Sequence, residues 1–133
     1  MKYYLDANVF ILAFVNHEDR GERARFILDA VVKGKCAGVT SFLSFDEFFW
    51  SLRKVDKKEN VLQYAKNFLD MPHLQFIPVD EQVMRKSYQL LQQYPLDPRD
   101  AIHAASAILA KTDSFLSDDD DFGQVKAVNW RKL

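Results

Sequence analysis

The chain has 133 residues, of which 48% are hydrophobic, and a formal net charge of −1. That length predicts one domain with a real core, and the charge balance excludes nucleic-acid binding driven by overall positive charge while leaving room for a local basic surface. The single cysteine, Cys36, excludes a disulfide scaffold, a Cys-rich zinc site and a CxxC redox pair, and is expected as a small buried apolar residue. Lys2 to Leu5 reads as a first strand, closed by Asp6. An acid so early argues against a signal peptide. The uncharged stretch Ala7 to His17 falls far short of the ~20 apolar residues of a membrane span. A cytoplasmic protein with no membrane contact is the expectation.

A short apolar helix over about Val9 to Val15 follows. In Arg20 to Lys33 the residues Ala24, Ile27, Leu28 and Val31 form the stripe of an amphipathic helix, which Gly34 ends. Ala37 to Thr40 is a second strand. Helical stripes then recur at Phe45, Phe48, Phe49, Leu52 and at Val61, Tyr64, Ala65, Phe68. Leu74 to Val79 is a third strand, with Asp80 as N-cap of a helix marked by Val83, Ser87, Leu90, Leu91 and Tyr94 and stopped by Pro95. Asp97 as N-cap and Pro98 at the first helical position start the next helix. Its body, Ala101 to Ala110, is apolar nearly all round and should be buried. Ser114 to Ser117 and Ala127 to Trp130 complete the set as fourth and fifth strands.

Alternation of strands and helices predicts an α/β fold, a parallel sheet covered on both faces. In such sheets sites lie beyond the carboxyl ends of the strands. Asp6 directly follows the first strand and Asp118 to Asp121 directly follow the fourth. Asp46 and Glu47 sit on the helix after the second strand, and Asp100 sits in the first turn of the buried helix. Each acid alone also fits a turn, a cap or a solvated helix face. Together they would repel one another unless a counter-charge were present. A hard divalent cation supplies it, and Mg²⁺ or Mn²⁺ suits carboxylate oxygens. Two such ions about 4 Å apart can support phosphodiester cleavage.

Four segments carry a family resemblance: YLDAN at Tyr4 to Asn8, TSFLSFDEF at Thr40 to Phe48, PRDAIHAASA at Pro98 to Ala107, and SDDDDF at Ser117 to Phe122. With them the chain resembles PIN-domain ribonucleases, specifically the VapC-type toxins of toxin–antitoxin pairs. The resemblance implies an α/β/α sandwich with a parallel five-stranded sheet and an acidic pocket holding one or two Mg²⁺ or Mn²⁺ ions. It implies cleavage of structured RNA, a homodimer and a cognate antitoxin partner. Its acids match Asp6, Glu47 and Asp100. Its last acid falls in the aspartate run, at Asp119, with Asp121 as a further metal ligand and Asp118 and Asp120 as solvated neighbours. Asn8 and Ser117 match its pocket-shaping residues. Asp46 and Glu47 both lie off the Phe stripe, so the motif rather than the periodicity selects Glu47.

RNA requires positive charge somewhere. Arg99 and the cluster of Arg53, Lys54, Lys57 and Lys58 are the candidate contacts, although each also fits a solvated helix face; Arg20, Arg23 and Arg25 form a second basic group. His103, three residues after Asp100, shares its side of the helix and is expected as a hydrogen-bonded core histidine that could also reach the pocket. Trp50, off the Phe stripe, is a candidate interface residue. Two other functions compete with the nuclease. A phospho-aspartate enzyme or receiver with Asp6 as acceptor lacks its motifs here, since Asp6-Ala7-Asn8 is neither a DxD nor an adjacent acid pair. A non-enzymatic module of the same fold, or an RNA-processing nuclease outside any toxin pair, remains open.

Overall fold

A computed structural model describes residues 1–133. Its sheet has five parallel strands in the order β3-β2-β1-β4-β5: β1 Lys2–Leu5, β2 Ala37–Ser41, β3 Leu74–Ile77, β4 Ser114–Ser117 and β5 Trp130–Lys132. The central strand explains its own sequence. Tyr4 and Leu5 point to opposite faces and are both fully buried, as a strand with helices on both sides requires. Tyr4 is in register with Val39 on one side and Phe115 on the other.

One face packs against α1 Ala7–Val15, α2 Asp19–Val32, α3 Leu43–Leu52 and α4 Lys58–Leu69. Leu5, Val9, Phe10, Leu28, Val31, Phe48 and Phe68 form that core. The other face packs against α5 Glu81–Gln93 and α6 Pro98–Leu109, through Tyr4, Val39, Val83, Leu90, Phe115 and Phe122. Ala101, Ala104, Ala105 and Ala107 of α6 are all buried. Their small side chains let this helix lie close to the sheet. The result is the expected α/β/α sandwich. No helix is long and apolar enough to cross a membrane.

Helix ends follow the local chemistry. The Asp6 carboxylate accepts from the Ala7 N–H at 2.8 Å and caps α1 two residues earlier than the hydrophobic stripe alone predicts. Gly34, at φ 73°, closes α2: its N–H donates to the Val31 carbonyl and that of Lys35 to the Ala30 carbonyl. This is a Schellman closure, which needs a left-handed residue at that position. Asp80 caps α5 by accepting from the Val83 N–H. Asp97 stands at the N-cap of α6 but makes no capping bond with its side chain.

Three expectations are corrected. The third strand ends at Ile77 rather than Val79, because Pro78 offers no N–H to continue a ladder. The fifth strand is Trp130–Lys132 rather than Ala127 to Trp130. Val125 and Val128 do turn inward, but from a loop after the 3-10 turn Asp120–Gln124. The true strand is an edge with Arg131 and Lys132 exposed, which hides its apolar signal. Cys36 is half-buried rather than buried.

Candidate active site

The strand order reverses at β1 and β4, where the first three strands run one way and the last two the other. Such a switch point opens a crevice at the carboxyl ends. The Ser117 hydroxyl bridges it, donating to the Asp6 Oδ2 at 2.7 Å. It accepts in turn from Asn8 Nδ2 at 3.1 Å and from the Asp119 N–H at 3.0 Å. Asn8 also donates to Asp6 Oδ2 at 3.2 Å and accepts from the Asp118 N–H. Ser117 and Asn8 thus tie the ends of the two strands together and fix the Asp6 carboxylate.

Asp6 is 6% exposed. Burial pushes its pKa up; His103 and the Ser117 hydrogen bond pull the other way without cancelling it. On α6, His103 Nε2 stands 2.5 Å from Glu47 Oε1 and 3.4 Å from Asp6 Oδ1. With carboxylate oxygens on that side, Nε2 carries a proton and donates. Its Nδ1 lies 2.7 Å from the Tyr4 hydroxyl, which accepts from the Ser41 N–H at 3.1 Å. Burial lowers the His103 pKa, but the Asp6 and Glu47 carboxylates outweigh it and the net direction is up. So His103 is both the buried histidine and a pocket residue. Its spacing from Asp100 was the available signal. Tyr4, which seats it, was hidden inside an ordinary strand.

Three more carboxylates converge beside this group. One oxygen each of Asp100, Asp119 and Asp121 lie within 4.8 Å of one another. Asp119 also accepts from the Asp121 N–H at 2.9 Å, capping the 3-10 turn. Burial raises the Asp100 pKa from 3.8 to about 7, with added repulsion from Asp6 and Asp119. Asp46 is exposed, whereas Glu47 is half-buried and joined to His103.

The four consecutive aspartates alternate. Asp118 pairs with Arg20 at 2.5 Å and Asp120 with Lys132 at 2.8 Å. Asp119 and Asp121 face the cluster instead. The expectation that Asp118 is a solvated neighbour is corrected, because its side chain is only 14% exposed. Of the basic candidates, Arg99 lines a cavity with Glu47. Arg53 and Lys54, just past the C-terminal end of α3, lie against Trp50.

A model of the PIN domain family matches residues 3–128. The chain belongs to the PIN domain family. Among solved structures, this PIN domain is similar to a chain of VapBC2 from Rickettsia felis, bound to a DNA fragment from its promoter, with a TM-score of 0.79, 18% identity, and coverage of 99% of this chain and 98% of that one. VapC20 from Mycobacterium tuberculosis, described as a sarcin–ricin loop cleaving toxin, gives 0.76 at 13% identity over 96% and 97%. VapBC-1 from nontypeable Haemophilus influenzae gives 0.72 at 16% identity over 99% and 98%. At these identities the likeness establishes the fold. No curated protein sequence matches the chain significantly.

The donor chemistry fits a hard divalent cation. All the pocket ligand candidates except His103 are carboxylates, which suits Mg²⁺ or Mn²⁺. Asp100, partly buried and crowded by the Asp6 and Asp119 carboxylates, has its pKa raised to about 7, the imbalance that a cation would relieve. Asp100, Asp119 and Asp121 are the set already close enough to share an ion.

Proposed function

We propose that this PIN domain is a divalent-metal-dependent endoribonuclease and the toxin of a VapBC-type pair. The observation that carries it is the convergence of Asp100, Asp119 and Asp121, within 4.8 Å, on the crevice that holds Asp6 and Glu47. Acids so placed repel one another and an RNA phosphate alike unless a cation joins them.

Asp6, Glu47, Asp100 and Asp119 are assigned to the catalytic group and, with Asp121, to metal holding, for one or two ions. Mg²⁺ or Mn²⁺ bound there would supply a water of lowered pKa and stabilise the leaving oxygen. The chain's own residues do the positioning. Ser117 and Asn8 hold the Asp6 carboxylate in one orientation through Oδ2. The Ala7 N–H holds Oδ1. His103, seated on Tyr4, does the same for Glu47. A carboxylate fixed in this way loses little freedom on taking up its ligand. Nothing in this scheme needs a covalent nucleophile.

The RNA phosphates would meet Arg99, which lines a cavity with Glu47, and Arg53 and Lys54, which lie against Trp50. The structured-RNA substrate draws support from the VapC20 likeness, a neighbour described as cleaving the sarcin–ricin loop. An antitoxin partner draws support from the VapBC complexes among the neighbours. Exposed Phe14, Phe26 and Phe42 leave apolar surface for that partner and for a homodimer. A single domain over residues 1–133 acting in the cytoplasm completes the reading.

The test is cleavage of a total-RNA pool by purified protein with Mn²⁺, with EDTA, and by Asp100→Asn. Cuts at few sites that need the metal and vanish in the variant are expected. Metal binding with no cleavage of any RNA would favour a non-enzymatic PIN module instead.

A further inference from the structure

Beyond Glu47, α3 carries a group that the carboxylate chemistry does not use. Trp50 lies three residues on, hence on the same side of the helix, and is 56% exposed. The Arg53 guanidinium carbon sits 3.6 Å from the centroid of its ring, and Lys54 Nζ 5.7 Å from it. Arg53 therefore stacks on one face of the indole. A cavity of about 360 Å³ also lies against Trp50, lined by Asp46, Glu47, Trp50, Ser51 and Arg99. Arg53 takes no part in that lining. Glu47 is common to this cavity and the acidic pocket.

We propose that this cavity seats one unpaired RNA base, stacked on Trp50, next to the phosphate to be cut. The proposal rests on the nuclease reading and adds a determinant of where that nuclease cuts. The lining decides what can enter. Two carboxylates, Asp46 and Glu47, against the single cation Arg99 make it a poor seat for a phosphate. They make it a better one for a neutral ring carrying an exocyclic amino group, because Asp46, exposed and without an ion-pair partner, can accept from such a donor. Trp50 offers the flat surface on which unpaired bases stack. Arg53 packed against the indole holds its orientation, and the stacked cation adds to the pull on a base through the shared ring. The volume is at the lower end of the roughly 300–1,000 Å³ range of small-molecule sites, which suits one base and excludes a duplex. Trp50 is the only hydrophobic residue among the five that line it, unlike the apolar centre of a protein–protein contact. Arg53, Lys54 and Arg99 then flank the seat, where the neighbouring phosphates run.

The chain has two tryptophans, so Trp50 can report its own occupancy. Intact protein with Ca²⁺ in place of Mn²⁺ is titrated with short single-stranded oligoribonucleotides of each base, and with an abasic ribose-phosphate oligomer of equal length. Saturable quenching by at least one base, absent with the abasic oligomer and absent in Trp50→Phe, is expected. Cleavage kinetics on an oligonucleotide spanning a mapped cut give the second readout. Trp50→Leu raises KM by about 5- to 150-fold, the range of one base–aromatic stack, with kcat changed only a few-fold, and Trp50→Phe restores most of the loss. Equal quenching by the abasic oligomer, or wild-type KM in Trp50→Leu, overturns the proposal. So does a loss of activity that tracks a changed oligomeric state on size exclusion, which would make Trp50 a protein contact. Cleavage of total RNA by the wild-type protein separates the two levels. If cleavage is present while Trp50 is silent, only the base seat fails; if it is absent under every metal, the nuclease reading fails as well.

Discussion

The carboxylate most out of balance with its surroundings is Asp100, and removing its charge should stabilise the metal-free protein. Its pKa is about 7 in the folded chain against an ordinary 3.8. At about 1.4 kcal/mol per factor of ten in proton affinity, that displacement corresponds to a ceiling of about 4 kcal/mol. Asp100 is only partly buried, so solvent screening reduces this to roughly 1–2 kcal/mol. The sign follows from proton uptake. Below pH 4 both folded and unfolded chains hold the proton and Asp100 contributes no difference. Between pH 4 and 7 the unfolded chain releases it and the folded chain does not, so stability falls as pH rises, and above pH 7 the loss is complete. Asp100→Asn keeps the shape and removes the charge. In EDTA at pH 8 its melting temperature should exceed the wild type by roughly 3–10 °C, and the gap should narrow at pH 5 and close below about pH 4. Saturating Mn²⁺ should reverse the order, because it stabilises whichever protein binds it better. A variant no more stable than the wild type at pH 8 in EDTA would refute the argument that this pocket is held against its own charge.

Three further outcomes follow from the same geometry. Asp6→Asn keeps a side-chain oxygen to cap α1 but loses the carboxylate, so circular dichroism should be unchanged while cleavage falls by at least about 100-fold. Ser117→Ala strips an acceptor from Asn8 and from the Asp119 N–H and a donor from Asp6; urea denaturation should show a loss of about 1–3 kcal/mol, with weaker Mn²⁺ affinity by calorimetry. Tyr4→Phe leaves the Ser41 N–H and His103 Nδ1 unpartnered in the core. A loss of about 1–3 kcal/mol is expected, and an unchanged denaturation midpoint would mean that the phenol is not the seat of His103.

The sandwich was legible because its central strands are buried on both faces and its helices carry clean stripes. Leu28, Val31, Phe48, Leu52 and Phe68 all lie where the periodicity puts them. The edge was not legible. Arg131 and Lys132 are exposed, so β5 gives no alternating signal, whereas Val125 and Val128 give an apolar signal from a loop. The pocket was legible as a set of acids after strands, since topology alone carries Asp6 and the aspartate run to one crevice. What joins them leaves no local pattern: Asn8 and Ser117, to which only the family resemblance pointed, hydrogen-bond across the β1–β4 boundary, 109 residues apart, and Tyr4, which nothing in the sequence singled out, reaches His103 on α6 and Ser41 on β2. Trp50 was visible only as an aromatic off its stripe; its relation to Arg53 needed coordinates.

The distribution of cations explains why the run of four aspartates does not blur the site. Arg20 and Lys132 come from α2 and β5, on either side of the run, and each takes an even-numbered aspartate, Asp118 and Asp120. No basic side chain bridges Asp119 or Asp121, the two that join Asp100. The chain's one answer to charge inside the pocket, His103, serves Asp6 and Glu47. The unneutralised charge is therefore concentrated on three carboxylates, which is where an incoming cation gains most. This division predicts opposite results from chemically identical substitutions two or fewer residues apart. Asp120→Asn loses only an exposed ion pair, worth about 0–1 kcal/mol, and should leave Mn²⁺ affinity and cleavage unchanged. Asp119→Asn removes a pocket carboxylate and should weaken Mn²⁺ binding at least about 10-fold by calorimetry, with cleavage falling further. Equal effects from the two substitutions would mean that the run acts as a diffuse acidic patch, and that its alternation has no part in holding the metal.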